Sequence, residues 1–239
     1  MKKVLLTLVC ACALTLGAAF SAQAENLGVY VAPKFLMGWQ NNHSSFTQTA
    51  GGRTGSGDQF ISQFGLGGGL SVGYDFWHQF KLPVRAELEF AMRGDSSNTE
   101  EGTFGSGSVY EELKSTFNAT TLMANFFYDF RNDSDFTPYV MAGAGVAFIR
   151  SEVEYRGEFG NRDIHMSDSD NFTNFAWNIG AGVAYNVNEN IAVDLGYRYL
   201  NLGSVSSSGG YSTFAGHANW DADNYAYNHE IALGVRFTF

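Results

Sequence analysis

A serine–histidine–carboxylate set is the arrangement in this sequence that comes nearest to catalytic machinery. His229 stands beside Glu230, and serines occupy positions 206–208 upstream. Such a set supports hydrolysis when the histidine takes the serine proton and the carboxylate orients the histidine. Nothing in the sequence places a serine on the face of His229, and no known nucleophile motif surrounds these serines. We therefore expect no enzyme and no catalytic residue.

Two further motifs could hold a cofactor or a metal ion. Glycine pairs separated by one residue recur at 65/67, 143/145 and 180/182, but they lack the third glycine and the following helical pattern of a nucleotide-binding loop. Acidic segments at 168–171 and 221–224 lack the glycine and the closing glutamate of a calcium loop. We therefore expect no cofactor and no metal site.

The overall charge excludes another class of partner. The 239 residues carry a formal net charge of −10, and nucleic-acid binding needs a basic face for the phosphates. Hydrophobic residues make up 45% and charged residues 16% of the chain, so extended disorder is not expected. Both cysteines, Cys10 and Cys12, lie near the amino terminus, which leaves the rest of the chain without a disulfide framework.

The amino-terminal segment has the features of an export signal. Two lysines precede an apolar run over 4–20, and the small-x-small triplet 22–24 gives a cleavage site before Glu25. A permanent anchor would need a longer run, and lipidation at Cys12 would leave a very short apolar region before it. We predict a cleaved signal peptide over 1–24 and one domain over 25–239.

The remaining chain is patterned with a period of two, as in β-strands that have two different faces. At the carboxyl end, for example, Ile231, Leu233 and Val235 alternate with small or charged residues. In 117–130 both parities carry apolar residues, and we assign Leu122, Phe126, Tyr128 and Phe130 to the outer face. The predicted strands are 29–37, 64–76, 84–92, 117–130, 138–148, 175–187, 191–199 and 231–239.

Connections between these strands alternate in length. Short turns fall at 77–83, 131–137 and 188–190, whereas long polar segments fall at 39–62, 94–112, 151–172 and 203–226. An even strand number with alternating connections predicts an all-β fold, a closed eight-stranded antiparallel transmembrane β-barrel with three short periplasmic turns and four long extracellular loops. The apolar pairs Val153/Tyr155 and Ile164/Met166 indicate that the fifth and sixth strands continue as a hairpin above the membrane.

A soluble sandwich would show the same alternation, so other features must decide between the two folds. The face opposite the bulky residues is rich in glycine, which an exposed soluble face seldom is. Aromatic residues near the predicted strand ends suit the girdles of a membrane barrel. These are Trp39, Tyr74, Trp77, Tyr128, Tyr139, Tyr185 and Tyr199.

Two stretches also resemble a known family. The run Asn125-Phe-Phe-Tyr-Asp-Phe130 with Ala142-Gly-Ala-Gly-Val146, and the run Phe175-Ala-Trp-Asn-Ile-Gly-Ala-Gly-Val-Ala-Tyr185 with Leu195-Gly-Tyr-Arg-Tyr199, are similar to opacity-type and OmpA-like eight-stranded outer-membrane barrels. The resemblance extends over essentially all of 25–239. It implies the outer membrane of a Gram-negative bacterium, contact with outer-membrane lipid and lipopolysaccharide, and a monomer.

The carboxyl terminus resembles the assembly signal of such barrels. The ending Gly234-Val-Arg-Phe-Thr-Phe239 has the expected glycine and two aromatic residues, Phe237 and Phe239. Ala232 stands where a polar residue is usual, which is a small departure. The resemblance therefore implies the barrel-assembly machinery and periplasmic chaperones as partners.

Charged residues of both signs, five basic and six acidic, occupy strand positions that are predicted to face the barrel interior. An eight-stranded barrel is just wide enough for side chains to fill its interior. These residues could therefore form a salt-bridged plug or line a narrow pore, and parity alone does not decide. The set is Lys34, Asp75, Arg85, Glu87, Glu89, Arg93, Asp129, Asp194, Arg198, Glu230 and Arg236.

The last long loop is rich in aromatic rings among glycine, serine and asparagine, a composition typical of contact surfaces. The candidates for contact are Tyr211, Phe214, Trp220 and Tyr225. The sequence therefore predicts a non-enzymatic outer-membrane barrel that supports the envelope and presents loops for adhesion or for an extracellular or host ligand. The alternative is a small porin-like diffusion channel for ions and small polar solutes.

Overall fold

The computed structural model describes residues 27–50, 53–104, 109–159, 162–213 and 216–239, so the predicted signal peptide lies outside the described residues. The described residues form eight strands and one short helix. No helix within these ranges is long and apolar enough to cross a bilayer. The strands are β1 Val29–Ala50, β2 Arg53–Asp75, β3 Val84–Phe104, β4 Val109–Asp129, β5 Phe136–Phe159, β6 Arg162–Asn186, β7 Ile191–Thr213 and β8 Gly216–Thr238, with α1 Trp77–Phe80 between β2 and β3.

The strands form a closed antiparallel barrel in chain order, which confirms the predicted fold. Each strand pairs with the next one along the chain, and β8 closes the ring against β1. The closure extends to the last residue, because the Phe239 N–H donates to the Val29 carbonyl at 2.8 Å. Over the part where all eight strands pair, the ring leaves no unpaired strand edge, which hydrocarbon requires of any β-structure that spans it.

Side chains alternate across the barrel wall as the period of two predicts. Phe126 and Tyr128 of β4, and Phe130 just after it, are 65%, 48% and 50% exposed on the outer surface, where bulky apolar residues meet lipid. Residues of the opposite parity, such as Met123, are buried inside. Leu122, at 39% exposure, also lies on the outer surface, so the assignment of faces in the ambiguous segment 117–130 is confirmed.

Tyr139 is an exception to the predicted aromatic girdle. It lies inside the barrel at 6% exposure, with its ring against the backbone of Gly182 on the neighbouring strand. A Cβ atom at Gly182 would lie 2.5 Å from the Tyr139 Cζ atom, so glycine is required at this close approach. The prediction was wrong because position along the strand indicates height in the membrane, whereas parity decides the face.

The four long polar segments continue as paired strands. The predicted hairpin is present, since Tyr155 of β5 pairs with Met166 of β6. The other three long segments are also hairpins, with β1–β2, β3–β4 and β7–β8 paired to within a few residues of their tips. The sequence pattern did not predict these extensions, because polar residues on both faces leave no period of two to detect.

Two lateral junctions are much shorter than the others. β2 pairs with β3 only from Gly67/Arg93 to Asp75/Arg85, and β6 pairs with β7 only from Trp177/Asn201 to Asn186/Ala192. Beyond these points the barrel divides into two four-stranded sheets. The terminal sheet contains the extensions of β7, β8, β1 and β2, and the central sheet contains those of β3 to β6.

A bulge lies at each point of division. The β3 register shifts between Arg93 and Ser96, and the β7 register shifts between Asn201 and Ser204. Gly203, within the second bulge, has a φ of +86°, a left-handed conformation that glycine adopts without strain. The β3–β4 and β7–β8 ladders continue beyond these shifts, whereas the β2–β3 and β6–β7 ladders end at the residue where each shift begins, Arg93 and Asn201.

The two short junctions have the length of a membrane crossing. They contain nine and ten residue pairs, and a tilted transmembrane strand needs about 9–11 residues. Within lipid an unpaired strand edge is too costly, whereas in water it can be hydrated. The ring is therefore continuous across the bilayer and divides only above it.

Candidate functional site

Six charged side chains of alternating sign run through the middle of the barrel. The Lys34 ammonium donates to Glu87 and, at 2.7 Å, to Glu89. Arg198 then links two acids, donating to Glu89 at 2.6 Å and to Glu230 at 2.8 Å. We call these residues, with Arg93 at the outer end, the central chain: Glu87, Lys34, Glu89, Arg198, Glu230 and Arg93.

Arg93 completes the central chain on the extracellular side. Its guanidinium makes a two-point contact with Glu230, one hydrogen bond being 3.1 Å long, and also donates to Thr121 at 3.0 Å. The six residues contain three cations and three anions, and all but Lys34 are nearly excluded from solvent. Buried charges are tolerated only when they are paired and hydrogen-bonded, which the alternation of sign achieves.

A second set of charges lies nearer the periplasmic end. Arg85 forms a bidentate pair with Asp129, with contacts of 2.9–3.1 Å. Asp194 lies 3.9 Å from the guanidinium groups of both Arg85 and Arg236. We call this set the periplasmic cluster, and it contains Arg85, Asp129, Asp194, Arg236, Asp75 and Arg131.

Arg131 is the member that sequence reasoning missed, because it lies just after β4 in a predicted turn. Its Nη2 atom donates to Asp75 at 2.6 Å and to Asp129 at 3.3 Å. The predicted inward set contained one more acid than base, and this imbalance was the signal that a basic residue was missing. With Arg131 included, the central chain and the periplasmic cluster together contain six charges of each sign.

Aromatic rings lie beside the charges of the periplasmic cluster. The Arg85 guanidinium is 4.4 Å from the centroid of Phe127 and 5.2 Å from that of Tyr139. The Phe127 and Tyr139 rings meet edge to face at 5.5 Å. Cation–π contact of this kind holds the guanidinium in place while Asp129 neutralises its charge.

Towards the extracellular end of the lumen, a cluster of buried apolar side chains lies among the buried amides of Gln40, Asn201 and Asn228. Leu200 and Leu202 of β7 follow Arg198 on the inward face and are fully buried. We call this group the apolar cap, and sequence reasoning, which considered only the inward charges, did not predict it. It contains Ala119, Met123, Ala147, Ile149, Ala176, Leu200, Leu202 and Ala226.

Two small cavities lie among these layers in the part of the lumen that the structure describes. One interior cavity, of about 30 Å³, lies between the central chain and the periplasmic cluster, and another, of about 20 Å³, lies beside Arg93 and Glu230. A cavity that holds one water molecule needs roughly 10–15 Å³, so each accommodates one or two. The periplasmic mouth is wider, with a vestibule of about 550 Å³ lined by Trp77, Arg131 and Arg236.

His229 and Glu230 lie on opposite faces of β8. Glu230 points inward to Arg93 and Arg198, whereas His229 lies on the outer surface, where Nδ1 is 2.6 Å from the Tyr197 hydroxyl. The two side chains therefore do not form a histidine–carboxylate pair. The side chains of serines 206–208 lie outside the described residues.

An aromatic patch surrounds His229 on the outer surface. Tyr199 contacts Trp177, Tyr227 and His229 with ring centroids 5.5 Å apart. Tyr225, a predicted loop contact, lies at the upper edge of this patch in β8, and its hydroxyl is 2.9 Å from that of Tyr199. The side chains of the other candidates, Tyr211, Phe214 and Trp220, lie outside the described residues.

Residues of the predicted assembly signal lie in the closing strand. Gly234 faces the lumen beside the Lys34 side chain, and Phe237 lies in the outward register of β8. The Phe239 carbonyl accepts hydrogen bonds from Leu27 at 2.8 Å and from Gly28 at 3.2 Å. These contacts fasten the carboxyl terminus to the start of β1.

A closed antiparallel ring with an apolar outer belt, aromatic rims and a charged interior defines a transmembrane β-barrel of the outer membrane. The family model described as "Outer membrane protein beta-barrel domain" matches residues 8–239, and the chain belongs to this family. The protein is thus an integral protein of the cell outer membrane, as the sequence predicts.

Relatives of this chain include a named outer-membrane protein, a named opacity protein and a named candidate adhesin. The outer membrane protein PagN of Salmonella typhimurium is 35% identical over 237 residues, covering 95% of this chain and 97% of PagN. The opacity protein opA67 of Neisseria gonorrhoeae is 24% identical over 206 residues, covering 71% and 76% of the two chains. RC1281 of Rickettsia conorii, named as a candidate adhesin, is 22% identical over 177 residues, covering 74% and 68%.

Proposed function

We propose that this protein is a non-enzymatic, non-conducting barrel whose two extramembrane sheets bind other molecules at the cell surface, with adhesion as the main role. The length of the strands carries the proposal. They contain 21 to 25 residues, about twice the 9–11 that a crossing needs. Strand length beyond the crossing adds no anchoring, so we assign it to contact outside the membrane.

The filled interior supports a structural role for the predicted charge set. The central chain, the periplasmic cluster and the apolar cap occupy successive levels of the lumen, and the cavities between them are of the size of one or two water molecules. On this proposal Lys34, Glu87, Glu89 and Arg198 stabilise the barrel rather than line a conducting pore.

The relatives and the outer surface support the same role. RC1281 is named as a candidate adhesin, and PagN and opA67 are named as outer-membrane and opacity proteins. The aromatic patch around His229 is of the kind that lies at lipid headgroup level, and we assign it to contact with lipid and lipopolysaccharide. His229 and Glu230 lie on opposite faces of β8 and form no histidine–carboxylate pair, which supports a protein without hydrolytic activity.

Adhesion is tested with a shortened barrel. All four extramembrane hairpins are replaced by Asn-Gly turns between residues that already pair across the strands. Beads coated with the refolded protein are then applied to cultured epithelial cells. The joined pairs are Asn41/Ser62, Ser96/Phe117, Arg150/Asn171 and Ser204/Tyr225.

The shortened barrel is expected to lose at least nine-tenths of the bound beads relative to the complete protein. Leu195→Ala, a change on the lipid-facing side of β7 outside the replaced hairpins, is the matched control and should bind as the complete protein does. Equal binding by the shortened barrel would refute the proposal. In parallel, steady ion-selective openings of the complete protein in a planar bilayer would favour the diffusion channel instead.

A further inference from the structure

The division of the barrel creates strand edges that face each other across two seams. The first seam separates 53–66 of β2 from the outer part of β3, and the second separates 204–213 of β7 from the outer part of β6. Within the described residues, no ladder joins the strands across either seam above the bulges. At roughly 3.3 Å per residue, the β2 edge is about 45 Å long and the β7 edge about 33 Å long.

The edges of the terminal sheet lack the usual protection against further pairing. Natural proteins block long edges with lysine, proline or other charges, because an open row of N–H and C=O groups accepts another strand. The segment 204–213 contains no charged residue and no proline, and 53–66 contains only Arg53 and Asp58 as charged residues. Glycine, serine and threonine make up eight of the ten residues in 204–213 and six of the fourteen in 53–66.

The opposing edges of the central sheet are acidic. On β3, the outer segment 95–104 contains Asp95, Glu100 and Glu101 and no basic residue. On β6, the segment 162–176 contains three aspartates and one arginine. Each seam thus has a neutral edge on one side and an acidic edge on the other, and this asymmetry occurs at both seams.

We propose that each seam binds an extended, basic polypeptide segment of about ten residues. Its backbone adds as a further strand to β2 or β7, and its lysine and arginine side chains are attracted by the acidic strand opposite. Main-chain hydrogen bonds give affinity in strand addition, and the charges select the partner. The inference rests on the proposed function in one respect, that the two sheets are the contact surface.

A second copy of the chain does not supply the required charge. Neither edge of the terminal sheet carries a net positive charge, and both edges of the central sheet are acidic. Pairing between the seams of two copies would therefore bring neutral edges together or add acidic strands to an acidic sheet. A separate basic polypeptide is the occupant that the charges favour.

The probe is a fluorescent dodecapeptide of alternating lysine and valine, added to the full refolded chain in lipid nanodiscs. Its control has the same sequence with every second backbone nitrogen methylated, which keeps the charge and prevents strand pairing. We expect saturable binding of the probe, at least tenfold weaker binding of the control, and slower amide exchange in 53–66 and 204–213 when the probe is bound. Equal binding of the two peptides would overturn strand addition.

Substitution of the neutral edges locates the site. Gly55→Lys with Gly57→Lys on β2, combined with Ser206→Lys and Ser208→Lys on β7, should weaken probe binding at least tenfold through repulsion. The same four positions changed to glutamine are the matched control and should bind as the native chain does. A Cβ atom at Gly55 or Gly57 meets no atom within 4 Å, so the changes on β2 are sterically tolerated.

The outcomes separate this inference from the proposed function. If the probe does not bind, or if the lysine variant binds it unchanged, the seams are not a peptide site. Bead adhesion that depends on the hairpins would still stand in that case. If adhesion fails and the probe binds, the seams remain a peptide site and the adhesive role is refuted.

Discussion

Arg198 of β7 donates to Glu89 of β3 at 2.6 Å across the full width of the lumen. The two residues are on opposite walls of the barrel, separated by 109 positions in the chain. Because the second contact of Arg198 is to Glu230 on β8, this one guanidinium ties three strands together. The barrel interior is thus crossed by charge pairing at its middle, in addition to the hydrogen-bonded wall.

Arg198→Ala should destabilise the folded barrel. The change leaves two buried carboxylates without their shared cation, and breaking a buried pair by removing one partner costs about 3–5 kcal/mol. We expect the thermal unfolding midpoint in detergent, followed by the heat-dependent gel shift, to fall by several degrees. The double variant with Glu230→Gln should recover part of this loss, because one uncompensated charge is then removed. An unchanged midpoint for Arg198→Ala would show that Arg198 has no structural role.

Gly182→Ala should destabilise the barrel by overpacking. The added methyl group would lie 2.5 Å from the Tyr139 ring and 2.5 Å from the Leu195 carbonyl, and neither the buried ring nor the backbone can move away freely. Overpacking of this kind costs about 1–3 kcal/mol, measured by urea unfolding in lipid vesicles. Gly68→Ala is the matched control, since its nearest contact would be 3.7 Å away. Equal stability of the two variants would argue against tight packing of Tyr139.

The fold could be predicted from sequence wherever one face meets lipid. There the period of two is strong, and it predicts the eight strands, their faces and the charges of the lumen. Tyr139 was assigned to the wrong face, because its position near a strand end was used and its parity was not. Arg131 was missed, because it lies in a predicted turn. The extramembrane hairpins were largely missed, since strands with water on both faces need no alternation. Each seam begins beside a register shift. A single glycine such as Gly203 does not reveal such a shift in the sequence.

Amide hydrogen exchange should distinguish seam strands from fully paired strands. Residues 150–159 of β5 have ladder partners on both sides, whereas 204–213 of β7 pair only with β8. About half of the β7 amides in this segment should therefore exchange within minutes, because N–H groups that point to the seam are bonded only to water. The β5 amides should exchange at least tenfold more slowly. Similar protection of the two segments would mean that the seams are closed in solution.

Conductance should require the removal of two layers of the lumen together. Arg198 belongs to the central chain, and Leu200 and Leu202 belong to the apolar cap directly above it on β7. Arg198→Ala alone leaves the cap in place, and Leu200→Ala with Leu202→Ala leaves the charge pairs in place. Both variants should therefore be silent in a planar bilayer.

The triple variant joins the space vacated at both levels to the cavity of about 30 Å³ that borders the periplasmic cluster, and we expect it to show steady openings. Leu195→Ala, a change on the lipid-facing side of the same strand, is the control and should remain silent. A silent triple variant that still shows the folded gel shift would mean that the remaining side chains block the lumen without these layers. Openings in either partial variant would show that the other layer does not close the barrel alone.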